Sequence, residues 1–133
     1  MKSLDGQIRL ATFRLAEHRR GVTRIEGMIT ELDRRSSELE HDLNLEHSRT
    51  KINDPQHFAY SPLAKSLMER REKTRLTIHE LKGQLERAKV ETGKAVDDLI
   101  KLELLDGRER AEKDANRSTV PSTLGLIGAL PVG

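Results

Sequence analysis

The sequence predicts an all-α protein: a long antiparallel two-helix coiled coil, or helical hairpin, with a disordered C-terminal tail. Three observations carry that prediction. Two stretches repeat apolar residues at alternating steps of four and three. A proline-containing break lies between them. The composition is also thin in core-forming residues: 35% of the 133 residues are apolar and 35% are charged, against roughly 45–50% and 25% in an average domain. So low an apolar fraction can line a seam between helices but cannot fill a two-layer core at native density.

The first seam reads Leu4, Ile8, Ala11, Leu15, His18, Val22, Ile25, Ile29, Leu32, Ser36, Leu39 and Leu43. No proline interrupts it, so the spacing predicts a helix over about residues 3–49. The corner, residues 50–61, contains Asn53-Asp54-Pro55 and Ser61-Pro62. Asp54 and Ser61 are cap residues, and each precedes a proline whose missing N–H is harmless at the first helical position. Asp54-Pro55 therefore reads as a short turn and Ser61-Pro62 as a helix start, with Phe58 and Tyr60 at the tip between them.

The second seam, Ala64, Leu67, Arg71, Thr74, Ile78, Leu81, Leu85, Ala88, Thr92, Ala95, Leu99 and Leu102, predicts a helix over about 62–113. The hairpin thus occupies 1–114. Beyond it, residues 115–133 lose their charge and helical period and gain Pro and Gly, which reads as a disordered tail. Gly21, Gly27, Gly83 and Gly93 fall off the seams, so packing does not explain them.

Pairing the seams so that residue numbers sum to 110 sets each a position of one helix against a d position of the other, as antiparallel packing requires. Leu43 then meets Leu67, and Ile29 meets Leu81. The polar interruptions coincide: Ser36 falls opposite Thr74, and His18 opposite Thr92. A slip of one heptad would set Ser36 against leucine, so these four are the expected register-setting core residues. Charge agrees, because residues 1–35 carry +3 and 91–117 carry −2, while 36–47 carry −4 and 48–90 carry +5.

Chemistry is sparse. No cysteine is present, and none of the five histidines has metal-ligand spacing with another, so neither metal nor cofactor is expected. No glycine-rich phosphate loop follows a strand, and a two-helix seam has no dry concave site to separate two carboxylate pKa values, so an enzyme with a small-molecule substrate is not expected. The basic runs at 18–20, 34–35 and 70–71 are interleaved with Glu17, Glu31, Asp33, Glu69 and Glu72, which argues against nucleic acid. The N-terminus lacks a signal-peptide pattern and no run of about 18 apolar residues exists, so a soluble, cytoplasmic chain is expected. What remains is outward apolar surface at Leu10, Phe13, Leu76, Val90 and Leu104, together with Phe58 and Tyr60. Surface of that kind suits docking to another protein.

The stretches MKSLDGQIRLATFRLAEHRRGVTRIEGMI, NDPQHFAYSPLAKS and AVDDLIKLELLDGRERAE together resemble the flagellar export protein FliJ family. The resemblance covers residues 1 to about 113, and the DPxHFAY corner is its most specific part. It implies a non-enzymatic coiled coil, similar to the stalk subunit of rotary ATPases, serving the bacterial flagellar type III secretion apparatus and hence motility. The implied partners are the export ATPase ring, the export-gate membrane protein and export chaperones. The implied location is peripheral, on the inner face of the cell membrane at the flagellar base. Partner contact is expected at Phe13, Phe58 and Tyr60, and by location at Leu76 and His79. Two alternatives remain: a generic coiled-coil secretion chaperone or scaffold, and an RNA- or ribosome-associated helical hairpin.

Overall fold

The protein is described from a computed structural model, in which the backbone of residues 2–129 and the side chains of residues 4–117 are described. Two long helices pack against each other, α1 (Lys2–Thr50) and α2 (Pro62–Ala129), joined by a corner of eleven residues. Within the described residues no strand forms.

The chain divides into two compact units. One is Glu17–Thr92, which contains the corner. Its seam holds two apolar clusters. In the first, buried Ile29, Ile78 and Leu81 carry Ile25, Leu32 and Leu85 against them. In the second, nearer the corner, buried Leu43, Ala64 and Leu67 carry Leu39, Tyr60 and Met68. Ile29 with Leu81 and Leu43 with Leu67 are the pairs the antiparallel register predicts. The other unit comprises Met1–Ala16 with Gly93–Gly133. Its buried apolar side chains, among the described residues, are Leu4, Leu15 and Ala95.

Of the four polar seam residues, three are half-buried as expected and one is not. His18 is exposed, which corrects its placement in the core. Thr92 offers it no donor, because the Thr92 hydroxyl donates to the Ala88 carbonyl at 2.7 Å on its own helix. Solvated imidazole is then the lower-energy choice. Thr74 behaves the same way, donating to the Arg70 carbonyl at 2.9 Å. A threonine that bonds to the carbonyl four residues back is satisfied without a cross-helix partner.

Arg71, the charged member of the second seam, keeps its stem at the interface and sends its guanidinium sideways to Glu40 at 2.7 Å. Arg75 reaches the same Glu40 oxygen at 3.3 Å.

The start of α2 matches the sequence, but its end differs from the boundary near 113. The backbone stays helical through Ala129. No glycine or proline stands between Asp114 and Val120 to stop it, although Pro121, Gly125 and Gly128 lie in the helical stretch beyond. The expected tail at 115–133 therefore overlaps helical backbone, and its last four residues lie outside the described ones. A Cβ at Gly21, Gly27 or Gly93 would meet nothing within 4 Å, so packing does not require glycine there.

Candidate functional site

The corner is built by a sequence of local caps. Helix α1 ends where Lys51 takes a left-handed conformation, φ 59°, and its N–H donates to the His47 carbonyl at 2.7 Å. That is the αL stop usually made by glycine. Thr50 steadies it, its Oγ1 accepting the Ile52 N–H at 3.3 Å.

Two turns follow in succession. The Gln56 N–H donates to Asp54 Oδ1 at 2.9 Å, and the His57 N–H to the Asp54 carbonyl at 3.0 Å. The Tyr60 N–H then donates to the His57 carbonyl at 3.1 Å, and the Ala59 N–H to His57 Nδ1 at 3.0 Å. Asp54-Pro55 thus opens a turn by the capping logic of its residues.

Ser61 begins α2 as an N-cap. Its Oγ accepts the Ala64 N–H at 3.2 Å, and its carbonyl accepts the first helical bond, from the Lys65 N–H, at 3.0 Å. The same hydroxyl donates its proton to Glu46 Oε2 at 2.6 Å. Glu46 is buried, with 5% of its surface exposed, and its other partner is the Arg49 guanidinium, one turn on. Arg49 first, and the Ser61 hydroxyl second, hold the Glu46 carboxyl at about 2, below its ordinary 4.5. Sequence reasoning missed Glu46. A signal was present, since the alternation of four and three that ends at Leu43 continues to 46.

The two corner aromatics have different roles. Tyr60 is half-buried on the Leu43 cluster, its hydroxyl 2.6 Å from His47 Nε2 and 3.0 Å from Met68 Sδ. A thioether only accepts, so both bonds form when His47 Nε2–H donates to the phenol oxygen and the phenol donates to sulfur. Burial pushes the Tyr60 hydroxyl above its ordinary value. Tyr60 therefore holds the corner together instead of standing out from it. Phe58 is 96% exposed, its ring stacked on His57 with centroids 4.8 Å apart. The turn bonds at 54, 57 and 60 fix the backbone beneath it, so the phenyl ring is a preorganised knob.

The remaining candidates are outward as expected. Phe13, Leu76 and His79 are exposed, as are Leu10, Val90 and Leu104. Leu76 and His79 lie one turn apart on α2, while Phe13 belongs to the other unit.

Two shallow grooves run along one side of the corner unit. The first, about 290 Å³, is lined by Asp42, Leu45, Glu46, Arg49, Leu63 and Leu67. The second, about 520 Å³, shares Asp42 and continues past Glu38 and Leu39 on α1 and Arg70, Lys73 and Thr74 on α2. Neither presents a nucleophile beside a base, and among the described residues no three His, Asp or Glu side chains are grouped to hold a metal ion. No described helix is long and apolar enough to cross a membrane. Comparison with family models, with curated proteins and with solved structures returned no match.

Proposed function

We propose that this chain acts by docking, as a component of the bacterial flagellar type III protein export apparatus that binds the export ATPase ring and the export gate. The observation that carries this reading is the corner. The DPxHFAY residues on which the resemblance to the FliJ family rests form a hydrogen-bonded double turn that holds Phe58 in solvent. A rigid, fully exposed aromatic on a two-helix scaffold suits an anchor for a protein pocket, where such residues dominate binding energy. The helical hairpin also suits a stalk-like role in a ring.

The test is the rate of a purified flagellar export ATPase titrated with the intact chain, with Phe58→Ala and with a truncation after Asp114. Stimulation at micromolar chain and co-sedimentation with the ATPase ring are the expected results. No stimulation and no co-sedimentation would overturn the reading. Binding of unfolded export substrate instead would make the chain a secretion chaperone.

A further inference from the structure

The two sides of the corner unit differ in how their charges are used. On one side Glu40 ties α1 to α2 through Arg71 and Arg75, and His47 ties α1 to Tyr60. On the other side, where the grooves run, the walls carry opposite charge. Arg35, Glu38 and Asp42 stand on α1, with Arg35 paired to Glu31 and Glu38 to Arg34, and Arg70 and Lys73 stand on α2. Asp42, Arg70 and Lys73 have no ion-pair partner among the described residues. At the corner end the walls become apolar, with Leu45 on α1 and Leu63 on α2 each 56% exposed.

Counting only the uncompensated charges, Asp42 on α1 and Arg70 and Lys73 on α2, this side therefore has a charge direction from acid to base, and an apolar end. A twofold axis running along the groove, parallel to the helices, lays α1 of one copy over α2 of the other at the same level. Asp42 then faces the partner's Arg70, Glu38 faces the partner's Lys73, and Leu45 faces the partner's Leu63. Each contact occurs twice. The alternative twofold, across the groove, lays α1 on α1 and sets acid against acid, so the two stacking directions are not equivalent.

We propose that this side of the corner unit binds a second copy of the chain, hairpin alongside hairpin with both corners at the same end, making a local four-helix contact. The self-complementary charge of the two walls selects the occupant, and the exposed leucines supply the apolar contact that excludes water from it.

The test is sedimentation equilibrium of the intact chain beside Asp42→Lys and Arg70→Glu. Both residues lie outside the apolar clusters, and helix content by circular dichroism checks that each variant folds. The wild type is expected to show a concentration-dependent monomer–dimer equilibrium. Each variant alone brings like charges together and is expected to weaken dimerisation about tenfold. An equimolar mixture restores both pairs, because Lys at 42 of one variant meets Glu at 70 of the other, and is expected to dimerise like the wild type. Leu45→Lys is expected to remove the dimer. A wild type that stays monomeric at about 100 µM, variants that dimerise as well as the wild type, or a mixture that stays as weak as its components would each overturn the proposal.

Discussion

Polar residues enter the helix–helix seam in two places, at the corner and along the interior, and the two are satisfied differently. At the corner, Glu46 is buried and its partners come from both helices: Arg49 on α1 and the Ser61 hydroxyl that caps α2. In the interior, Thr74 and Thr92 bond their own helix, and His18 leaves the seam for solvent. A cross-helix bond ties the position of one helix to the other, whereas a bond within a helix is indifferent to register. Apart from Glu40, which Arg71 and Arg75 reach from the other helix, the polar contribution to alignment is therefore concentrated at the corner, and the rest of the interior relies on apolar fit.

That contrast can be broken at its apolar base first. Leu67→Ala removes a nearly sealed side chain from the Leu43 cluster. It is expected to lower stability by about 2–5 kcal/mol in urea unfolding. Ser61→Ala comes next, since it removes the cap of α2 and a partner of Glu46 together. Its expected loss is about 1–2 kcal/mol.

The same contact makes a pH prediction. Glu46 titrates at about 2 in the folded chain against 4.5 ordinarily. Its contribution is thus present above pH 4.5 and disappears as pH falls from there through about 2. Thermal melts across that window are expected to fall less steeply for Glu46→Gln than for the wild type. A parallel fall in both proteins would remove Glu46 as the source.

Lys51→Gly is expected to have a smaller effect of opposite sign. Lys51 holds a positive φ that suits glycine, so relieving its Cβ should raise stability by about 0.5–1 kcal/mol. Smallest of all, Thr74→Ala should change stability by no more than about 0.5 kcal/mol. A loss of several times that would show a cross-helix role for Thr74 and erase the contrast between corner and interior.

The fold was legible because heptad spacing is a geometric statement about one face of a helix. Every seam position read from the sequence is buried or half-buried except His18. Ser61 was legible for a similarly local reason, since a cap followed by proline defines a helix start with no knowledge of the rest of the chain. The corner chemistry was not. An acid at the end of a seam reads as solvated, and Glu46 is buried only because Arg49 and a serine fifteen residues away complete it. Phe58 and Tyr60 look alike in sequence, but the turn between them sends one ring into solvent and the other onto Met68. The backbone of α2 runs helical beyond the boundary read near 113, because the change of composition there brings no glycine or proline before Pro121.

The shared hydroxyl of Ser61 also bears on how the chain reaches this structure. It joins residues only fifteen apart, whereas Glu40 and Arg71 are separated by 31 positions and Glu40 and Arg75 by 35. The entropy lost in closing a loop grows with its length, so the Glu46–Ser61 bond belongs to one of the earliest cross-helix closures available. It also starts α2 in the same step, by supplying the acceptor for the Ala64 N–H. Folding that nucleates at the corner and zips away from it would bring the two seams together in one alignment from the outset. Kinetic φ-values near one at Ser61 and Leu67, falling toward zero at Ile29 and Leu81, are the signature expected of that order.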